Sequence, residues 1–537
     1  MPAVACSGIA NQKGCPMQSH PFTPRAFIEK AACLWLLCLF SGWNASAQGT
    51  AQSDIPLYGF FEGTLEHGRN YPDPYRDVTL HVRYTRPDGT QLSFWGFHDG
   101  GRTWRFRAHA DQPGAWRYEA EMSDGSLRTK GEFRVSKNTT LPGMITVHRP
   151  NPVWFGFAGG KPFLVRGLHV GDRFFAANWP DAERQRFLDW VQENGYNFLS
   201  IASHFLNRDE EGRGRGWETP KLWPLDADEY RKMERILNDL AERRIVAWGF
   251  AGFFGQKSNY PRAPADQELY IRYTLARLAP MWHVLWNVAG PEPNLGEGLR
   301  WMSDEEVTRL GRLIASLDPW KHPISVHNRT GDDPFRDSDW TTYGVLQGPK
   351  TPDLATLSRG LLESHHPAKP LLAQETLWSR NTYHLRSLKR DYTDKEIRQN
   401  AWVIQMSAAG LVFADNDGNS STGFTGTLNP ADAHPTRHAI LRRIWDFMES
   451  IPFGELRPAQ ESVSTGYALA SGTSLLAYLP EGGSVRLRGA WESKAPRASQ
   501  ALWINARNPS EKRPAKPDAS GAFAAPDQED WLLWLKQ

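Results

Sequence analysis

Between about Val147 and Ile451, apolar runs alternate with helical stretches eight times over, and few folds accept that rhythm. The runs are PFLVRGLHV, NFLSIASHF, IVAWGFAGFF, HVLWNVAG, HPISVHN, TTYGVLQG, PLLAQETLW and GLVFADNDG. Asp181, Asp226, Ser303 and Thr393 stand where helix N-caps belong, and Gly195 stands where a helix should stop. The fifth and sixth runs are joined by RTGDDPFRDSDW, too short for a full helix. Eight such units in roughly 300 residues predict a (β/α)8 TIM barrel, placed here at 145–452.

The flanks read differently. At 537 residues the chain is too long for one ordinary domain. Residues 55–137 show short alternating strands with turns at Asp88-Gly89, Asp99-Gly100 and Gln112-Pro113-Gly114, the pattern of a β-sandwich. Residues 455–537 return to short strands and predict a small C-terminal β-sandwich. No tandem repeat is evident, which disfavours solenoids and propellers. The expected fold class is therefore multidomain, with an N-terminal β-sandwich, a central barrel and a C-terminal small β-sandwich.

Residues 1–47 read as a signal peptide. The apolar run AACLWLLCLF follows Arg25 and Lys30 and precedes Ala45-Ser46-Ala47, the small-x-small pattern of a cleavage site. Such a run is shorter than the roughly 20 residues a bilayer span needs, so a secreted or periplasmic protein without a membrane span is expected. All four cysteines precede the expected cut, which removes thiolate metal sites and cysteine nucleophiles from the mature chain. Its stability must then come from a large buried core.

Charged residues make up 23% of the chain and the formal net charge is +2, too weak a field to suggest nucleic acid or an anionic membrane as partner. The 23 tryptophans fit either core filling or platforms for the apolar faces of sugar rings, with Trp217 and Trp223 candidates for the latter.

In a barrel of this kind, functional side chains gather at the C-terminal ends of the strands. Those positions hold His169, His204, Asn287, Glu292, His327, Gln347, Glu375, Trp378, Asp415 and Asp417. Two glutamates at strand ends are the minimal equipment for glycosidic cleavage, one giving a proton and the other attacking or activating water. The remaining residues are candidate carbohydrate contacts, and no cofactor and no metal are expected. Asp415, Asp417 and Asn419 echo the start of a calcium loop, but Gly426 replaces its terminal glutamate, so a sugar-binding loop is the reading adopted.

Glu292 and Glu375, on strands four and seven, resemble the catalytic pair of retaining glycoside hydrolases of clan A. More narrowly, DVTLHVRYTRPDGTQLSFWGFHDGGRTWRFRAHADQPGAWRYE, GKPFLVRGLHVGD, NVAGPEPN, YLPEGGSV and DWLLWL resemble the apiosidase-like glycoside hydrolase family. There a β-sandwich precedes the barrel and a small β-domain labelled collagen-binding follows it. The resemblance implies a retaining mechanism, with Glu292 as acid/base and Glu375 as nucleophile, acting on polysaccharides or their side chains.

The chain departs from clan A at Pro291, where an asparagine ordinarily holds the sugar's 2-hydroxyl. Either Asn287 or Asn294 replaces it, or the sugar lacks that contact, or Glu292 is not the acid and Glu297 is the fallback. A barrel that binds carbohydrate with weakened or no catalysis is the alternative function. A protease is disfavoured, because neither a Ser-His-Asp motif nor HExxH is present.

Overall fold

The computed structural model describes residues 54–170, 174–201, 218, 220–249, 253–255, 260–290, 292–294, 300–379, 390–415 and 430–537. Its centre is a ring of short parallel strands: β1 (Arg166–Val170), β2 (Phe198–Ile201), β3 (Val246–Gly249), β4 (Val284–Asn287), β5 (Ile324–Ser325), β6 (Gly344–Gln347), β7 (Leu371–Trp378) and β8 (Ala409–Ala414). Successive strands pair in parallel from β1 to β5 and from β6 to β8, and β1 pairs back with β8. Between β5 and β6 the sheet closes through one residue, where the Thr342 N–H donates to the Ile324 carbonyl at 2.9 Å and the Thr342 hydroxyl accepts from the Ile324 N–H at 2.8 Å. This near-barrel is what the eightfold alternation predicts.

Seven helices follow the strands: α1 (Asp181–Glu193), α2 (Ala227–Glu242), α3 (Pro264–Leu278), α4 (Asp304–Leu317), α5 (Leu354–Glu363), α6 (Asp394–Met406) and α7 (Arg437–Glu449). The β5–β6 connection carries none among the described residues, as its length requires. Asp226, Ser303 and Thr393 each cap a helix through the side chain, the last two as reciprocal capping boxes. Asp181 differs from expectation: Pro180 holds the cap position and Asp181 is the first helical residue, its carboxylate 2.7 Å from Arg184. An acid there still meets the positive end of the helix dipole.

Val165, Phe198, Val246, Trp248, Leu285, Tyr343, Val345, Leu372 and Val412 share one buried cluster with Met144, Ile145, Phe155 and Phe163 from the segment preceding β1. Large side chains on alternate strand positions fill the ring, so it is a packed core and not a pore.

Residues 55–136 form a seven-stranded sheet that curls until its ends face each other, with Phe61 and Phe133 stacked at 4.0 Å. Residues 457–536 supply a six-stranded sheet and a two-stranded one. Both flanks are tied to the barrel by buried charges. Arg107 reaches Glu234 of α2 at 3.0 Å and the Arg277 carbonyl at 2.7 Å, while Arg277 pairs with Glu234 at 2.7 Å and with Asp99 at 3.0 Å. On the other side, Arg398 of α6 holds the fully buried Asp530 through two bonds of 2.8 and 3.0 Å. No described helix is long and apolar enough to cross a membrane.

Removing one partner of a buried ion pair strands the other. Glu234→Ala, which takes from Arg107 and Arg277 the carboxylate they share and leaves them only Glu62 and Asp99, is expected to lower stability by about 3 kcal/mol in urea unfolding. Glu242→Ala, at an exposed position of the same helix, should change it by under about 1 kcal/mol.

Candidate active site

β7 departs from regular strand geometry at the residue that matters most. Its pairing with β8 runs in register to Ala373, slips, and resumes at Leu377. Glu375 lies within the slip, with φ +50°, a left-handed conformation that a non-glycine residue adopts only at a cost. A bulge of this kind re-aims a side chain. Its neighbours fasten it: the Thr376 hydroxyl lies 3.2 Å from the Gly348 carbonyl, and the Trp378 indole N–H donates to the Glu375 carbonyl at 3.0 Å.

Two residues beyond β4 stands a second left-handed residue, Ala289 at φ +58°, whose N–H donates to the Phe254 carbonyl at 2.8 Å. Glu292 follows three residues later. Its side chain is 13% exposed against 2% for Glu375, so the two carboxyls differ in their access to solvent. Between them stands the fully buried imidazole of His327, just beyond β5. Its Nδ1 lies 3.7 Å from Glu292 Oε1 and its Nε2 lies 3.7 Å from Glu375 Oε2. One oxygen of each glutamate and one ring nitrogen of His327 all lie within 4.8 Å of one another.

The amide of Gln347, at the end of β6, donates to Glu375 Oε2, and its carbonyl accepts from the Thr330 hydroxyl at 2.6 Å. That second bond fixes which end of the amide faces the carboxylate. Lys350, in the loop after β6, brings its ammonium 6.0 Å from the Trp378 ring and within electrostatic reach of both carboxyls.

These neighbours separate the two acids. Burial, reinforced by the negative charge of Glu375, pushes the Glu292 carboxyl up to about 8, with Lys350 and Gln347 opposing. Burial likewise lowers Lys350 against the pull of the two carboxylates. A carboxyl that holds its proton near neutral pH is what a general acid needs.

His169, at the end of β1, is fully buried, and its Nδ1 lies 3.3 Å from both the Ser200 hydroxyl and the Gln374 amide nitrogen. Burial holds it down to about 4, so it is neutral, and with both partners donating to Nδ1 its proton sits on Nε2. Its ring lies 5.7 Å from that of Trp378. Glu292, His327, Gln347 and Glu375 thus come together, with His169 and Trp378 flanking Glu375. Asn287 is fully buried at the end of β4, in register with Ser325. Asp415 ends β8, but its Oδ2 accepts from the His434 N–H at 2.7 Å and meets His438 Nε2 at 2.6 Å, which turns this oxygen toward α7. His204, Pro291, Glu297, Asp417, Asn419, Gly426 and Trp217 lie outside the described residues. Trp223 packs near Tyr270 at 6.2 Å, under the Arg76 guanidinium at 5.8 Å.

Lys350, Gln374 and Ser200 were not among the residues expected at the site. Lys350 had a signal, since it lies three residues past a strand end. Trp301 had none: its indole N–H donates to the Glu292 carbonyl at 3.2 Å from nine residues away.

Glu292, His327 and Glu375 also form a set that could ligate a divalent cation. The adjacent Lys350 ammonium and the Gln347 amide hydrogen on Glu375 Oε2 make the cluster less hospitable to one.

Several solved structures share this architecture. A candidate glycoside hydrolase from Bacteroides vulgatus superposes with a TM-score of 0.70 over 90% of this chain and 100% of its own, at 15% identity. A glycoside hydrolase of family 5 from the same organism gives 0.55 over 74% of this chain and 95% of its own, also at 15% identity. A further glycoside hydrolase gives 0.55 over 74% and 99%, again at 15%. Residues 54–123 match a domain of unknown function, DUF5060. No curated protein matches the chain. At such identity these likenesses speak for the fold.

Carbon-13 NMR of labelled glutamate should find one carboxyl, Glu292, titrating near 8. Lys350→Met should raise that value and Glu375→Gln should lower it. Movement of both in the same direction would contradict the charge arrangement described.

Proposed function

We propose that this chain is a glycoside hydrolase that cleaves with retention, Glu375 attacking the anomeric carbon and Glu292 serving as acid and then base. The observation that carries the reading is that one oxygen of the half-buried Glu292, beyond β4, and one of the buried Glu375, in β7, lie within 4.8 Å of each other. Carboxyl groups about 5–5.5 Å apart suit direct attack, whereas about 6.5–9.5 Å leaves room for an inverting water. The perturbed Glu292 supports it independently, because a general acid must hold its proton near neutral pH.

In the first step Glu292 protonates the glycosidic oxygen while Glu375 forms an ester with the anomeric carbon, and the leaving group departs as an alcohol. In the second, Glu292 takes a proton from water, whose oxygen displaces Glu375 and releases the sugar. Gln347 and Lys350 stabilise the Glu375 carboxylate between turnovers, and His327 stands 3.7 Å from each carboxyl. The fold shared with glycoside hydrolases supports the reaction class. The narrower assignment, an exported apiosidase-like enzyme acting on polysaccharides or their side chains, rests on the sequence resemblance and the amino-terminal signal.

Incubation with arrayed polysaccharides and identification of released sugars tests the reading. Glu375→Gln should abolish turnover with the fold intact, and Glu292→Gln should slow it by about 10²–10⁴-fold. Wild-type kcat/KM should fall as pH rises through about 8, because deprotonation of Glu292 removes the acid. Binding without hydrolysis across the array would favour the non-catalytic carbohydrate-binding alternative. Loss of activity in EDTA, restored by Zn²⁺, would mark the carboxylate–histidine cluster as a metal centre.

A further inference from the structure

The loop after β4 returns on itself. Asn294 and Arg300 form an antiparallel bridge, and the next residue, Trp301, lies against the segment that carries Glu292. Trp301 makes two bonds there: its main-chain N–H donates to the Pro293 carbonyl at 3.1 Å and its indole N–H donates to the Glu292 carbonyl at 3.2 Å. Two residues later Ser303 begins the capping box of α4, so the ring is anchored from both directions. Trp301 is nonetheless half-buried, in a protein where Trp248, Trp286 and Trp378 are almost wholly enclosed. A large apolar ring with its polar atom already satisfied, held rigid and open on part of its surface, suits the apolar face of a pyranose.

Its place decides which sugar. The nucleophile stands beneath the ring being cleaved, whereas the acid stands at the oxygen leading to the leaving group. Both bonds of Trp301 go to Glu292 and Pro293, on the acid's side of the cleft. We infer that Trp301 is the platform for the leaving-group sugar and, through its bond to the Glu292 carbonyl, a positioning residue for the acid. This rests on the glycoside hydrolase reading and extends it. Occupation of the platform would press the leaving-group sugar against the same ring that fixes the acid, so binding of that sugar and alignment of the proton donor become one event. The site then favours oligosaccharide leaving groups over small ones.

The test compares short arabino-, xylo-, galacto- and manno-oligosaccharides with the glycosyl fluorides of the same sugars, whose leaving group is a single atom and needs little protonation. Trp301→Ala should lower kcat/KM by about 10- to 100-fold on the oligosaccharides cleaved by wild type, while fluorides change by less than about threefold. Trp301→Phe should recover KM, because a stacking ring remains, but should shift the alkaline limb of the pH profile, because the bond to the acid's carbonyl is gone. Equal losses on both substrate classes, or no loss on either, would overturn the proposal. If Trp301→Ala fails to fold, Trp301→Leu takes its place, and a Leu variant as active on oligosaccharides as the Phe variant would also overturn it. Wild-type protein that turns over neither class is a different result, which removes the glycosidase reading and this one with it.

Discussion

Two carboxyl groups brought within 4.8 Å in a mostly buried site cannot both be charged without a cost. At an effective dielectric of about 20 the repulsion would be roughly 3–4 kcal/mol, a large part of the margin by which a domain stays folded. The fold relieves this by making the two environments unlike. Glu375, nearly sealed off, receives the Gln347 amide and shares the Lys350 charge. Glu292, the more exposed of the two, keeps a proton instead. His327, fully enclosed, stands between them with one ring nitrogen 3.7 Å from each. The asymmetry that lowers the electrostatic cost is also the one on which the proposed division between acid and nucleophile rests.

Placing the carboxyls so closely required local backbone strain. A left-handed non-glycine residue costs about 1–3 kcal/mol and persists only where its surroundings over-determine it. At Glu375 the surroundings are evident. β8 resumes pairing at Leu377, Thr376 faces the carbonyls of the β6 end, and Trp378 turns back onto the Glu375 carbonyl. The packed ring beneath, closed by Phe155 and Phe163, leaves the strand little room to relax into an unstrained path. Strain at Glu375 is thus held by ordinary packing a few residues away.

This division explains what the sequence could and could not disclose. Eight apolar runs at the right spacing predict the ring, and once the ring is granted the strand-end rule selects Glu292, His327, Gln347 and Glu375 without any knowledge of geometry. The slip in β7 leaves no mark in LLAQETLW, because a bulge is decided by partners on β8 and β6. Asp415 shows the limit of the rule: position at a strand end fixes the residue's height in the barrel, not its direction, and His438 on α7 claims one of its oxygens. Trp301 was hidden for the opposite reason, since its contact with Glu292 depends on a loop closing through the Asn294–Arg300 bridge. Local periodicity carries no information about such a closure.

The segment that carries Glu292 is fixed without the asparagine whose place Pro291 takes. An asparagine beside an acid serves two ends, binding the sugar's 2-hydroxyl and stiffening the segment. The second end is met from the main chain: successive carbonyls, those of Glu292 and Pro293, accept from the two N–H groups of Trp301, while the β3 and β4 ends are joined by the Phe254–Val288 bridge and the Ala289 bond. The donors come from Trp301, so this clamp makes no demand on the side chain at 291. It also joins the Glu292 segment to the N-terminus of α4, whose capping box resists fraying of its first turn. What a clamp of this kind cannot supply is the hydroxyl contact itself. Were Glu292 the acid, as proposed, that contact would have to come from another strand end, or the sugar would have no hydroxyl there to satisfy.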